Sequence, residues 1–343
     1  MTSDSHIAPS PPKLLPSLRT GFDTTTNHIV LILIPLALDL FLWFGPHLRL
    51  QKLIESIVSQ LIALDGLQDP GASEMLQAGQ EAWKILADRF NLLSALRSYP
   101  VGIPSLLSSM LSINTPVGTS KIFELDSFGL VVLIWLVITL LGIVLGAYYF
   151  LVVGQAAMYD EIRWRQSLQN LPWTALQVIF LTLFWVVLFI VVSIPGGCLV
   201  SIVALGGLPI GQCALLLYAG AILWLFFPLL FSPHGIFVNR ENMFASVKSS
   251  FRLTRYTLPT TGLFFLMILL ISQGLDLLWQ VPPQTSWLTL IGLVGHAFVV
   301  TGLLAASFVY YRDAGYWVDN LLQQTNSPSS QDNIIASEEN AKT

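Results

Sequence analysis

Charge is what this sequence has least of. Asp, Glu, Lys and Arg make up only 10% of its 343 residues, and none of the four occurs from residue 166 to residue 239. A soluble domain carries about 25% charged residues, so the composition excludes a soluble protein. A charge-free stretch of that length can only hold two or more membrane-spanning helices with tight connections. With 54% hydrophobic residues and a mean hydropathy of +0.69, most of the chain has lipid as its solvent.

Catalytic and ligand-binding motifs are also missing. The sequence has no GxSxG elbow, Walker loop, HExxH helix or CxxC pair, so an enzyme is the least supported class of function and no cofactor or metal is implied. Its two cysteines, Cys198 and Cys213, are expected to behave as small apolar residues, with a disulfide as the alternative. The net charge of −4 is dispersed and indicates no nucleic-acid partner.

The N-terminal region shows no cleavable signal sequence, because the first apolar run begins only at Ile29 and no small-x-small site follows it. Residues 1–27 contain four prolines and no apolar run, and they are predicted to form a disordered cytoplasmic tail. Residues 28–46 are predicted to be the first span. Their twelve Ile, Val, Leu and Phe residues favour insertion by about 4 to 7 kcal/mol, against a cost of about 3 kcal/mol for Asp39.

The only long polar region is 47–126. Apolar residues from Leu50 to Ile62 recur every three or four positions and predict an amphipathic helix. Asp69-Pro70 resembles the start of a second helix, which would end near Arg97, and a third short helix is predicted after Pro104. Two interpretations stay open: an extracytoplasmic helical cap packed on itself, or helices that lie on the membrane or bind a partner.

Five further spans are predicted within residues 127–322. They are 128–153, 172–194, 212–231, 259–281 and 287–311. The predicted fold class is therefore all-α, a polytopic membrane helical bundle of about six transmembrane helices with interfacial amphipathic helices. The polar tail 323–343 is predicted to be disordered.

Glycine and proline predict two interruptions in the middle of this region. Pro195-Gly196-Gly197 and the glycines from 206 to 211 break the helical pattern. The residues between them, 198–205, are too few to cross a bilayer. We predict a re-entrant or interfacial turn there.

Two segments on the same side of the predicted spans have interfacial character, 158–170 and 239–257. The second carries four interfacial basic residues, Arg240, Lys248, Arg252 and Arg255, while its apolar side chains can dip into lipid.

Basic residues also predict the orientation. One side of the six-span arrangement has nine of them: Lys13, Arg19, Arg163, Arg165, Arg240, Lys248, Arg252, Arg255 and Arg312. The short loops on the other side have none. By the positive-inside rule, both termini are cytoplasmic and residues 47–126 lie outside.

A threefold internal repeat is one interpretation of the pattern. Leu171-Pro172-Trp173-Thr174 and Leu258-Pro259-Thr260-Thr261 each follow a basic segment and open a span. Each unit would comprise an interfacial helix, a span out and a span back, with the long loop inserted in the first unit. Chance similarity within a biased composition explains the match equally well.

Four polar residues within or near the spans are candidates for transport or for a polar network: Asp39, Gln177, Asp276 and His296. Ionisable residues inside a membrane are costly and often functional. The alternatives are a hydrogen-bonded Asp39, a solvated Asp276 near the outer interface, and a His296 that only packs between helices.

Two further residues, Gly142 and Gly146, form a GxxxG pair that lets two helix backbones approach closely. Packing within the chain is favoured over dimerisation.

The segment from Ala245 to Arg255, leading into an apolar span, resembles uncharacterised prokaryotic multi-pass proteins. It is also similar to the membrane domain that accompanies some glycerophosphodiester phosphodiesterases. The resemblance covers about the last third of the chain and implies a prokaryotic cytoplasmic (inner) membrane. It transfers no activity, because no hydrolase domain is present.

The leading hypothesis is a non-enzymatic scaffold or assembly component that binds lipids, other membrane proteins or a second copy of itself. It depends on the amphipathic helices predicted on both faces of the membrane. The second hypothesis is a small transporter or permease subunit that uses Asp39 and the helix break from Gly206 to Gly211.

Overall fold

The computed structural model describes residues 11–64, 90–109, 114–204 and 208–325. The α-helices are α1 (Leu14–Asn27), α2 (Leu33–Phe44), α3 (Gln51–Leu64), α4 (Phe128–Tyr159), α5 (Trp164–Ala204), α6 (Leu208–Phe226), α7 (Ser232–Val238), α8 (Met243–Trp279) and α9 (Thr289–Thr325). The strands are β1 (His47–Arg49), β2 (Asn114–Thr115), β3 (Gly118–Thr119) and β4 (Ile122–Glu124). The predicted all-α polytopic class is confirmed.

Within the described residues, five helical stretches are long and apolar enough to cross a membrane. They are Phe128–Tyr159, Trp164–Ala204, Pro209–Val238, Met243–Trp279 and Thr289–Gln324. A sixth crossing exists only if α1 and the following helices, which bend by 90° at His28, are counted as one broken span. At about 1.5 Å per residue, the twelve residues of α2 cover about 18 Å of a bilayer core that is about 30 Å thick.

The N-terminal prediction is wrong over residues 14–27, which form helix α1 instead of a disordered tail. This helix buries Ser17, Leu18 and Gly21 against α9. A Cβ atom on Gly21 would lie only 2.5 Å from the carbonyl oxygen of Gly302, so the two backbones touch. The prolines of this region predicted disorder. The small residues of α1 are buried against α9, a contact that the local sequence does not show.

The loop between α2 and α4 is partly helical, as predicted, but it also contains short strands. Helix α3 matches the first predicted helix. The second falls largely in residues 65–89, outside the described residues, and its end is a 3₁₀ turn at Leu92–Leu96. The third is a single 3₁₀ turn, Leu107–Ser109, and residues 110–113 again lie outside the described part.

Short strands pair the beginning of this loop with its end. β1 pairs in parallel with β4, with His47 opposite Ile122, and β2 and β3 form an antiparallel hairpin. The strands have only two or three residues each, too few for an alternating pattern to predict them.

The predicted break at Pro195 is wrong. Helix α5 runs for 41 residues and continues through both Pro172 and Pro195. Residues 198–204 therefore extend a helix and do not form a re-entrant turn. Proline is tolerated in membrane helices because neighbouring groups satisfy the freed carbonyls. Gly206 and Gly207 lie outside the described residues, and Gly211 is already inside α6.

Helix α8 joins the predicted interfacial segment and the fifth span into one helix of 37 residues. The helix is kinked at Thr257 (φ −112°, ψ 19°), two residues before Pro259. Pro259 cannot donate a backbone hydrogen bond, and a proline ring disfavours helical geometry in the preceding residue. The boundary between the predicted interfacial segment and the predicted span is therefore a kink within one helix.

Helix α9 is the centre of the bundle. In its most apolar window 67% of the residues are buried, compared with 11% to 22% in the other four membrane-length helices. It packs against α1, α2, α4 and α8. We call the end of the bundle that holds the turns 160–163 and 239–242 the basic end, and the end that holds the loop 45–127 the loop end.

The outer part of α5 and all of α6 form an antiparallel pair that we call the arm (residues 182–204 and 208–226). The two helices pack on each other, with the rings of Trp185 and Phe226 5.2 Å apart. Gly196 makes room for Tyr218, because a Cβ atom there would lie 2.7 Å from its Cδ2. The buried residues of α5 all lie between Ser167 and Leu181, and at the start of the arm the half-buried Phe184 and Trp185 still pack against α7 and α8.

Candidate functional site

Asp39 is fully buried near the loop end and binds the loop. Its carboxylate accepts hydrogen bonds from the Ser105 hydroxyl (2.6 Å) and from the backbone amides of Leu106 (3.2 Å) and Leu107 (3.1 Å). These donors start the 3₁₀ turn at Leu107–Ser109, so Asp39 caps that turn from another element. The carboxylate is occupied by protein groups, which makes it an anchor for the loop.

Asp276 and His296 form a pair between α8 and α9. Asp276 Oδ1 lies 2.7 Å from His296 Nδ1, and the two side chains are 19% and 4% exposed. His296 Nε2 is buried and has no hydrogen-bond partner among the described residues. His296 also interacts electrostatically with Asp39. Two of the four predicted polar residues are therefore paired.

Gln177 is not part of this group. Its Oε1 accepts a hydrogen bond from the backbone amide of Met243 at 2.9 Å, at the basic end. Met243 is the first residue of α8, and the Asn242 side chain accepts from Ala245 in the same turn. Gln177 thus satisfies one of the free amides that every helix N-terminus presents. The four candidates do not form one network.

Gly142 and Gly146 allow a close backbone approach, but the partner is not a helix. A Cβ atom on Gly142 would lie 3.0 Å from the Cα of Leu96, and one on Gly146 would lie 2.6 Å from the Cα of Gly102. Both contacts are with the loop, which lies directly on α4. The pair serves packing within the chain.

The four basic residues at the basic end differ in their surroundings. Arg240 adopts a left-handed backbone (φ 53°) and donates a hydrogen bond to Asn170 Oδ1 at 2.9 Å. Arg252 lies 3.5 Å from Asp319, both more than half exposed. Lys248 and Arg255 are exposed, as expected for an interfacial surface.

Serine side chains at the start of α8 bind the chain just before it, which the sequence did not reveal. Ser250 donates to the carbonyl of Pro228 at 2.6 Å, and Ser246 donates to the carbonyl of Ser232. Both carbonyls lie where the chain passes from α6 to α7, and carbonyl groups at helix ends need partners outside their own helix. The serine-rich stretch was the one indication of these contacts in the sequence. Their acceptors could be identified only from the structure.

A polar cleft of about 320 Å³ lies at the basic end, between α4, α8, α9 and the turn after α7. We call it the basic-end cleft. Its lining residues are Met158, Tyr159, Val238, Asn239, Glu241, Ser249, Arg252, Leu253, Tyr311, Arg312, Gly315, Tyr316, Val318 and Asp319. It contains carboxylates, guanidinium groups and hydroxyls but no histidine or cysteine. These groups can bind a polar ligand through ion pairs and hydrogen bonds.

The two cysteines are free and exposed. Within the described residues, no group of three or more His, Cys, Asp or Glu side chains could hold a metal ion.

Comparisons with protein-family models, curated proteins and solved structures give no match. The resemblance of the last third of the chain to phosphodiesterase-associated membrane domains stays a prediction.

Proposed function

We propose that the protein is a non-enzymatic scaffold or assembly component of a membrane, and that its arm binds a membrane-spanning helix of another protein. The observation that carries the proposal is the poor burial of the arm inside its own chain. Among the described residues from 182 to 226, Gly211 is the one that is buried. The most apolar windows of α5 and of the α6–α7 stretch are 17% and 11% buried, similar to the 11% of α8 and far below the 67% of α9.

The surface of the arm can pack against a second helix. Leu216, Leu217 and Leu223 are each more than 70% exposed, and a Cβ atom on Gly197 or Gly220 would meet nothing within 4 Å. Small residues among large ones let a second helix approach closely, which supports association where no hydrophobic force acts between helices. Lipid alone also covers such a surface, so the partner has to be tested directly.

Photo-crosslinking in native membranes is the test. A benzophenone amino acid at Leu216 or Leu217 is expected to give one discrete adduct containing another membrane-spanning protein. The same amino acid at Leu133, which is 59% exposed on α4, is expected to give lipid adducts only. Gly220→Ile should reduce the protein adduct, because its branched side chain keeps the partner backbone away, whereas Gly129→Ile on α4 should not.

Two outcomes would contradict the proposal. Lipid adducts alone at both arm positions would mean that the arm only contacts lipid. An adduct with a second copy of the chain would mean that the arm forms a homo-oligomer and does not bind another protein.

The transporter hypothesis has less support. Its ionisable group, Asp39, already accepts three hydrogen bonds from the loop. Solute uptake by liposomes containing the protein, abolished by Asp39→Asn in a variant that still folds, would reverse this preference.

The proposed location is a prokaryotic cytoplasmic (inner) membrane with both termini in the cytoplasm. The support is the clustering of Arg163, Arg240, Lys248 and Arg252 at the basic end.

A further inference from the structure

The basic-end cleft has one wall that is held rigidly. Glu241 accepts hydrogen bonds from the Ser249 hydroxyl (2.8 Å) and from the Asn239 amide (3.3 Å). The buried Tyr311 hydroxyl lies 3.4 Å from the same amide and 3.5 Å from Ser249 Oγ. A Cβ atom on Gly235 would lie 2.5 Å from Glu241 Oε2, so this carboxylate packs directly against the backbone of α7. Glu241 is fixed in place before any ligand arrives.

A second wall of the cleft holds a cation that can change partners. Arg252 and Asp319 are 3.5 Å apart, with side chains 55% and 57% exposed. Exposed ion pairs of this kind contribute about 0 to 1 kcal/mol. A phosphate group can therefore replace Asp319 on the Arg252 guanidinium, which binds phosphate in a two-pronged geometry. Glu241, Arg252 and Asp319 line the same cleft as the Tyr311 hydroxyl.

The lining has no excess of charge. Within the lining, Arg252 and Arg312 are matched in number by Glu241 and Asp319, and Arg312 is paired with Asp313 at 2.9 Å. A ligand that carries both a cation and an anion matches this lining better than a purely anionic one. Glu241 still has free lone pairs for an ammonium group, because a carboxylate accepts up to about four hydrogen bonds.

The cleft also has an apolar part and an interfacial rim. Met158, Val238, Leu253 and Val318 line it, and the rim carries Tyr159 and Tyr316, each more than 65% exposed. Tyrosine prefers the level of the lipid headgroups. A volume of about 320 Å³ is at the lower end of the range for small-ligand pockets, about 300 to 1,000 Å³.

We propose that the basic-end cleft binds a phosphoethanolamine group, with the primary ammonium on Glu241 and the phosphate on Arg252. The source is the headgroup of a phosphatidylethanolamine lipid, whose glycerol region contacts the apolar part of the cleft. This site lies outside the arm and does not depend on the assembly function.

Native mass spectrometry of the full chain in detergent, with phosphatidylethanolamine, phosphatidylcholine and phosphatidylglycerol of identical acyl chains, tests the proposal. Phosphatidylethanolamine is expected to bind about tenfold more tightly than phosphatidylcholine, because a quaternary ammonium cannot donate a hydrogen bond to Glu241. Phosphatidylglycerol, which has no ammonium, should also bind more weakly. Soluble phosphoethanolamine should displace the lipid only at concentrations far above that of the lipid, because it lacks the glycerol contacts.

Variants separate the contributions of the two walls. Glu241→Gln should abolish the preference for phosphatidylethanolamine over phosphatidylcholine, and Arg252→Gln should weaken both. Gly315→Leu should block the cleft sterically without a clash at the backbone, since a Cβ atom there meets nothing within 4 Å. Arg255→Gln and Gly274→Leu are matched controls outside the cleft and should leave binding unchanged.

Three results would overturn the proposal. The first is equal binding of the three lipids by the wild-type protein. The second is undiminished binding by a folded Gly315→Leu variant. The third is complete displacement by soluble phosphoethanolamine at the affinity of the lipid, which would make the ligand a soluble molecule.

Discussion

Asp39 illustrates how a carboxylate inside a membrane protein can be structural. The sequence predicted either a transport residue or a hydrogen-bonded one, because an unpaired charge is costly in lipid. Its three donors come from residues 105–107, which are more than 60 positions away along the chain. No local pattern could have identified them.

Replacing Asp39 by Leu should destabilise the protein. The change leaves a hydroxyl and two amides buried without an acceptor, and each such donor costs about 1 to 3 kcal/mol. We expect the free energy of unfolding, measured by denaturant titration in detergent, to fall by about 3 kcal/mol or more. Asp23→Asn is the control, since Asp23 forms an exposed pair with Arg19 and should change stability by less than about 0.5 kcal/mol. Equal effects of the two changes would contradict the anchoring role.

Gly146→Ala should destabilise through crowding. Its methyl group would lie 2.6 Å from the Cα of Gly102, so the loop must move away from α4, at a cost of about 1 to 3 kcal/mol. Gly220→Ala should leave stability unchanged or raise it by up to about 1 kcal/mol, because alanine favours helix and the site is open. Thermal unfolding of both variants in the same detergent compares them. A neutral Gly146→Ala would mean that the loop does not lie tightly on α4.

At the scale of elements, the start of α8 holds the two preceding turns together. Ser246 and Ser250 satisfy carbonyl groups in the chain before α8, and Gln177 satisfies an amide at the helix start. The sequence predicted a basic interfacial segment here, and the exposed Lys248 and Arg255 fit that prediction. The serines on the other face could be assigned only once α7 was seen beside them.

Ser250→Ala should lower the free energy of unfolding by about 1 kcal/mol, because the half-buried carbonyl of Pro228 loses its donor. Ser201→Ala is a matched control, since Ser201 is exposed and donates only to Gly197 within its own helix. We expect the control to change stability by less than about 0.5 kcal/mol. Should both variants unfold alike in a denaturant titration, the contact with Pro228 contributes nothing measurable.

At the scale of the whole molecule, basic residues predict the orientation. Single cysteines at Lys121, near the loop end, and at Lys248, at the basic end, are both exposed and can be introduced after Cys198 and Cys213 are changed to serine. A membrane-impermeant maleimide should label the Lys121→Cys protein in intact cells and the Lys248→Cys protein only after lysis. The reverse pattern would invert the proposed topology.

The composition and charge distribution by themselves determined that this is an all-α membrane protein with membrane-length helices, because lipid excludes charge from long helices and requires each span to satisfy its own backbone. The boundary that they predicted between the segment 239–257 and the span 259–281 lies at the kink of α8. Only the tertiary structure decided that α1 is a helix, that α5 continues through Pro195, and that Gly142 and Gly146 face the loop. The physical reason is shared: each of these features depends on a neighbour distant in sequence, whose contact outweighs the local preference of proline, glycine or serine.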